Sequence, residues 1–501
     1  MRAVKRFALV VALSLFAMPR VARAGGFEIP DNGTEALGRG AAFTAKADDG
    51  TAIQYNVAGF AQQRGTRLLL NSNFWFSEYA FERAGTYPDD PKNTLTPWGG
   101  TRYPRVANEG GVFFEPMAAV STDFNYFERW TFALGAYGPS SVGNRVYPAS
   151  LGFAPNPARY DIVENRPEVI FGTAAASVRA LPWLDLGLAL NYVHASLHID
   201  STTFSDAVAA RGTAAGQCAN VEYQPCDARA KLDTTGGAVT ATAGVLARPI
   251  RAIAIGANFR GPVTLETTGD VTTVAPRITP NAGFRPSPAT FVVRLPAVVR
   301  VGARYIFLEQ DFERADIELD GTYEAWGSAQ DDGLRVTIPA IAADNPPPGV
   351  NLRDIDFVSP HGYRDTYSVR LGGAYNIPLS DTVLSLRAGG YHDSSASSPQ
   401  YTRLDFDTLA KTAFTLGVGY TIGAFGLSAA YAEIFDATRT VEGGELRPVN
   451  GTQRGASVDA SGAPYPAVNG GTYSGHSRIL SLGLSVRFDG LLFPRHEPKR
   501  D

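Results

Sequence analysis

The chain has 501 residues, and its 45 Lys and Arg nearly balance 49 Asp and Glu; a formal charge of -4 excludes the basic footprint of a nucleic-acid binder. Mean hydropathy is -0.09, and past the N-terminus no stretch approaches the ~18 consecutive apolar residues of a membrane helix. Neither value excludes a membrane β-barrel, whose strands are apolar on one face only.

Residues 1–24 predict a signal peptide. Arg2, Lys5 and Arg6 form a basic start, "FALVVALSLFAM" an apolar core, and Ala22-Arg23-Ala24 a small-residue cleavage site. The mature chain is expected to begin at Gly25, outside the cytoplasm. Residues 25–65 are rich in small residues and lack strand alternation. Within them "ALGRGAAFTAKA" and "TAIQYNVAGFA" carry enough apolar side chains to pack, which suits a compact segment ahead of the first strand.

From residue 66 onward, period-2 alternation predicts about fourteen strands: roughly 66–83, 111–124, 130–139, 167–179, 183–198, 236–247, 252–267, 291–305, 313–326, 365–376, 381–393, 411–421, 424–435 and 477–488. The connections alternate strictly between short turns and long segments rich in Gly, Pro, Asn and Ser. An outer-membrane barrel has that asymmetry, and a soluble sandwich has no reason for it. Charges segregate by parity. Arg294, Arg300 and Arg304 oppose Val293, Leu295, Val299, Val301 and Tyr305, and Asp316, Glu318, Asp320 and Glu324 oppose Ile317, Leu319 and Tyr323. No amphipathic helix is available to cover the apolar faces, so closing the sheet with charges inward and apolar residues to lipid satisfies both. In "WLDLGLALNY", Leu184, Leu186, Leu188, Leu190 and Tyr192 point outward, and the nine residues they span rise roughly 20 Å, near the ~25 Å apolar band of such barrels. The last strand, "ILSLGLSVRF", turns Leu480, Leu482 and Leu484 to lipid in the same way.

Cys218 and Cys226 lie in a polar stretch with seven residues between them. In an oxidising compartment they can close a small loop disulfide; their spacing is not a metal signature, and two free thiols are the alternative. Strand three ends "LGAYGPSS", where Gly138 has no side chain and Pro139 cannot donate a ladder hydrogen bond. Pairing should break there, either as a plain strand end or as an opening.

The segment "EALGRGAAFTAKADDGTAIQYNVAGFA" resembles the N-terminal hatch of the FadL/TodX family of outer-membrane hydrophobic-compound transporters. "RYDIVENRPEVIFGTAAASVRALPWLDLGLALNYVHASL", "LPAVVRVGARY" with "ADIELDGTYEAW", and "VNGGTYSGHSRILSLGLSVRF" are similar to its later strands in the same order. The resemblance implies a fourteen-strand barrel plugged by a hatch. It also implies entry of long-chain fatty acids or apolar aromatic compounds from outside, and a lateral exit at a kinked third strand. Two departures stand out. Asn56-Val57-Ala58 replaces the family's usual Asn-Pro-Ala, which restores a backbone N–H. The chain also continues past Phe488 with "DGLLFPRHEPKRD", whereas family members usually end on the aromatic that the barrel-assembly machinery recognises.

The expected organisation is a signal peptide (1–24), a hatch (25–65), a barrel (66–488) and a tail (489–501). Arg370 and Arg387 fall on the lumen face of adjacent strands, joined by a turn short enough to set them almost opposite one another. They could take a carboxylate or form a stiffening ladder with Glu318, Asp320 and Glu324. Arg39, Asp48 and Asp49 are expected to tie the hatch to the wall, with Asn56 in its turn. His194 and His198 would need a helix to share a metal, since four strand residues span ~13 Å. "YHDSS" cannot converge its neighbouring side chains on one atom, and no G-x-S-x-G occurs, so no enzyme is expected and no cofactor is implied. The expected function is uptake of hydrophobic small molecules by a monomer in outer-membrane lipid. A general porin or an adhesive barrel is the alternative, told apart by ion conductance or by unchanged uptake on deletion.

Overall fold

The computed structural model describes residues 32–89, 96–138, 143–204, 223–277, 283–329, 334–345, 352–406, 409–448 and 466–488. The expected signal peptide, Pro139, Cys218 and the tail lie outside them. Fourteen antiparallel strands make the wall: β1 (Thr66–Arg83), β2 (Val112–Thr122), β3 (Trp130–Tyr137), β4 (Glu164–Leu181), β5 (Leu184–Phe204) and β6 (Asp227–Ile250). Next come β7 in two runs (Ile253–Arg260 and Val263–Val274), β8 in two runs (Ser287–Leu295 and Val298–Glu309) and β9 (Phe312–Glu324). The wall ends with β10 (Thr366–Leu379), β11 (Thr382–Asp393), β12 (Lys411–Ile422), β13 (Phe425–Asp436) and β14 (Gly471–Arg487). Each strand pairs with the next, and β14 returns to β1 from Arg487 opposite Arg67 to Gly471 opposite Arg83. Closure gives every strand two partners, the condition for a sheet to stand in hydrocarbon.

Alternation decides which face is dry. Leu188 is 68% exposed and Leu482 50%, while Asp316, Glu318 and Arg370, on the inner face of their own strands, are buried. The short turns follow the twist of the strands: Gln310 and Asp311, between β8 and β9, both take positive φ (49° and 71°), the sense of a type I′ hairpin.

Three expectations need correction. Arg294 faces outward, not into the lumen. Pro262 and Pro296 fall at matching positions of β7 and β8, each between that strand's two runs, and neither can donate to the ladder. Past this break the buried side reverses, so Leu295 and Val298 are both inside although three apart. The expected loop 327–364 contains a hairpin, Leu334–Ala340 with Arg353–Ser359, that extends the sheet from Thr290–Val292 of β8. Lastly, β5 and β6 run on to Phe204 and back to Asp227, well past the expected ends at 198 and 236. Polar ladders such as Lys231 opposite Asp200 hide the alternation there.

Candidate functional site

The lumen is filled by residues 32–65. Two short helices, Thr34–Gly38 and Ala52–Tyr55, and a 3-10 turn, Val57–Gln62, are almost wholly buried against the inner wall. They fit because the wall presents bare backbone to them. A Cβ on Gly372 would lie 1.8 Å from the Arg39 carbonyl oxygen, one on Gly256 2.2 Å from the Thr44 oxygen, and one on Gly244 2.3 Å from Asn56 Oδ1. Only glycine permits that approach. Asn56 ties the segment together: Nδ2 donates to the Thr44 oxygen (2.9 Å) and to the Val245 oxygen of β6 (3.0 Å), while Oδ1 accepts from Ala58 N. The N–H restored at Val57 points to Asn258 Oδ1 of β7 at 3.4 Å, a contact proline could not make.

Acidic residues of β9 form the strongest attachment. Arg39 Nη2 lies 2.5 Å from Asp316 Oδ2 and 3.4 Å from Glu318 Oε2, all fully buried. Asp320 Oδ2 accepts from Phe43 N and Thr44 N at 2.9 and 2.8 Å, and Glu318 Oε1 from Ala45 N at 2.6 Å. Strand carboxylates thus satisfy backbone donors of the segment that no secondary structure could serve. Arg304 of β8 reaches Asp316 at 2.7 Å and completes the network.

On the other side the pairing of the described wall residues is interrupted. β3 pairs with β2 only from Met117 to Thr122 and with β4 only from Phe171 to Val178. Beyond Tyr137 the chain pairs with β4 again only at Arg145–Val146, opposite Asn165 and Glu164. Among the described residues, Val112–Pro116 of β2 and Arg166–Ile170 of β4 therefore have no ladder partner on their facing edges. Gly138 sits at the corner of this break, and its carbonyl accepts from Asn32 Nδ2 at the start of the lumen segment.

An apolar cluster links this break to the long-loop end. Ile53 and Phe60 of the lumen segment join Met117, Tyr137 and Phe171 beside the break. Through Val193, Leu265 and Phe291 the cluster continues to Trp326, Tyr363 and Phe406 among the long connections. Tyr137 stacks on Phe171 at 5.4 Å between centroids.

Arg370 and Arg387 do not stand opposite one another. The turn at Ser380-Asp381 pairs Arg370 with Tyr391 and Arg387 with Ala374, four residues apart along β11, about 13 Å. Arg370 meets Asp393 (3.0 Å) and the Tyr391 ring, and Arg387 meets Glu35 of the lumen segment (2.7 Å). Asp48 meets Lys46 (2.5 Å), and Asp49 accepts from Thr51 N (2.8 Å). Cys226 is disulfide-bonded. His198 Nδ1 lies 2.5 Å from Asp233 Oδ1 across β5 and β6. Sequence reasoning passed over the glycine cradle and Asn32. Glycines at lumen parity, such as Gly372 and Gly389 in "LGGAY" and "AGGY", were the available signal.

A family model described as "Outer membrane protein transport protein (OMPP1/FadL/TodX)" matches residues 15–488. No curated protein matches the chain. Among solved structures, a Pseudomonas aeruginosa FadL homologue superposes with a TM-score of 0.68 at 16% identity, covering 93% of this chain and 100% of its own. The P. putida toluene transporter TodX gives 0.62 at 14% identity over 92% and 99%. The Ralstonia pickettii toluene transporter TbuX gives 0.60 at 15% over 91% and 98%. These likenesses are of fold. Since the family match takes in the lumen segment and every strand of the wall, the chain belongs to the OMPP1/FadL/TodX family of outer-membrane transporters of hydrophobic compounds.

Proposed function

We propose that the protein carries long-chain fatty acids or related hydrophobic compounds into the outer membrane by passive movement, with residues 25–65 as the hatch and the break beside β3 as the exit. The observation that supports this is the apolar cluster running from Trp326, Tyr363 and Phe406 to Ile53, Tyr137 and Phe171. A hydrophobic solute entering among the long connections stays in contact with apolar side chains until it reaches the break. Gly138 marks the edge of the exit. Arg39 and Asn56 hold the hatch, and Asp48 and Asp49 brace it from within. Arg387 latches it through Glu35, whereas Arg370 stiffens the wall through Asp393. A wall that closes on itself needs no second copy, which favours a monomer surrounded by lipid. Assembly through the barrel-assembly machinery fits Phe488, whose N–H closes the β14–β1 ladder on the Thr66 oxygen at 2.8 Å.

The test is uptake of a labelled long-chain fatty acid and of labelled toluene by cells with and without the gene. Loss of either uptake on deletion supports transport and selects the substrate. No change in both favours an adhesive barrel, and ion conductance of the purified protein would point to a porin.

A further inference from the structure

The corner of the break at Gly138 is built from hydrogen-bond acceptors. A Cβ on Gly138 would lie 3.5 Å from the Val169 carbonyl oxygen of β4 and 3.7 Å from Glu115 Oε1 of β2. Glu115 therefore leans over bare backbone between the two facing edges. It shares the inner face of β2 with Phe113 and Met117, stands opposite Asn73 of β1, and accepts from Asn73 Nδ2 at 3.1 Å. The lumen segment adds Asn32, which is 1% exposed. Its Nδ2 is committed to the Gly138 oxygen, while its Oδ1 has no partner. A buried amide whose donor is taken and whose oxygen is left over calls for a donor from outside the fold.

The charge at the corner is negative. Glu168, next to Val169 but on the outer face of β4, is exposed. Arg166, two residues away on that face, is held by Glu164. Arg145 lies opposite Asn165, four residues or about 13 Å along β4 from Val169, and Asp436 acts on it. A solute leaving sideways thus passes one carboxylate on the inner side of the wall and another on the outer side. Apolar surface leads up to them: Met117, Tyr137 and Phe171 belong to the cluster that runs in from the long connections.

We infer that the corner formed by Glu115, Asn32 and Val169 is a polarity filter, which passes uncharged hydrophobes, favours those with a hydroxyl head and turns back ionised carboxylates. The inference rests on the transport reading and narrows its substrate class. A hydroxyl donates its proton to the Glu115 carboxylate or to Asn32 Oδ1 while its hydrocarbon stays on Tyr137 and Phe171. An ionised carboxylate has no proton to donate and meets a like charge in a place where salt screens poorly.

The test measures uptake of labelled 1-dodecanol, dodecanoic acid and toluene at pH 7.5, where the acid is ionised, by cells with and without the gene. The gene-dependent rates of alcohol and acid are each taken relative to toluene, which has no head group. The wild type should carry the alcohol at least ~10-fold faster than the acid, the equivalent of one hydrogen bond to a charged group. Glu115→Gln keeps the shape and removes the charge, and should bring the two rates together; Glu115→Lys should reverse their order. Equal carriage of alcohol and acid by the wild type overturns the inference whether or not the variants assemble. An undiminished preference in a Glu115→Gln barrel present at normal level in the outer membrane overturns it too. Either result leaves transport standing, whereas uptake of all three compounds without dependence on the gene removes transport and the filter together.

Discussion

The lumen segment is held differently on its two flanks. Toward β8–β11 it is fastened by charge: Arg39 to Asp316 and Glu318, Glu35 to Arg387, and backbone N–H groups of residues 43–45 to Asp320 and Glu318. Toward β2–β5 the bonds run largely through hydroxyl and amide groups. Ser121 Oγ donates to Gln63 Oε1, Thr131 to the Gln63 oxygen and Ser177 to the Val57 oxygen. On that flank Ile53 abuts β3, where a Cβ on Gly135 would come within 2.8 Å of its Cδ1. Breaking a buried ion pair costs more than breaking a neutral hydrogen bond. A lumen segment that rearranges should therefore stay anchored at β9 and loosen toward β3, the side on which the described residues leave strand edges unpaired.

The largest effect is expected at the charged flank. Arg39→Met leaves Asp316 and Glu318 buried with reduced compensation and should cost about 3–5 kcal/mol of hatch docking. It would be read as protease access to residues 32–65 in a barrel whose own melting is little changed. Unchanged protease resistance would mean that β9 is not the anchor. At the glycine cradle, Gly372→Ala forces a methyl group into the Arg39 carbonyl and should cost about 1–3 kcal/mol, visible as a lowered melting temperature. On the neutral flank, Gln63→Ala should cost about 1 kcal/mol and increase hatch mobility near β3 by hydrogen exchange. If it matches Arg39→Met instead, the contrast between the flanks fails. Replacing Gly138 and Pro139 with strand formers should block uptake while leaving assembly intact; undiminished uptake would place the exit elsewhere.

The smallest effect concerns the cap formed by the long connections. Arg403 Nε bonds Asp161 Oδ1 (2.9 Å) and lies 3.3 Å from Asp405, which also meets His361 Nε2 (3.0 Å). Burial, with Asp405 adding to it and Arg403 opposing it, pushes the Asp161 carboxyl up to about 6. A carboxyl raised in the folded state binds its proton more tightly than in the unfolded chain. Its contribution is therefore complete only below the ordinary carboxylate value of 3.8, declines above it and is lost as pH rises through about 6. The connections should resist protease better at pH 5 than at pH 7.5, and Asp161→Asn should flatten the difference.

The sequence carried the wall because lipid enforces a rule of period 2. Leu186, Leu188 and Leu190 have to face outward whatever lies inside, and no helix was available to cover them. Where that rule lapses, reading failed: polar pairs such as Lys231 and Asp200 above the lipid band concealed the ends of β5 and β6, and Pro296 reversed the parity that put Arg294 on the wrong face.

The interior was legible only in part. Arg39 and the acidic face of β9 were visible as charges that needed partners, but their pairing joins residues 277 and 279 positions apart in sequence. The relative height of Arg370 and Arg387 depends on which residues form the turn, and a one-residue error there moves every partner. Strand number, lipid face and the need for a filled lumen were thus fixed by local alternation, loop asymmetry and family likeness. Which carboxylate meets which backbone donor and which glycines admit the lumen segment were decided by closure of the ring. Closure brings β14 to β1 and β9 to the N-terminal segment, and no local pattern encodes contacts over such separations.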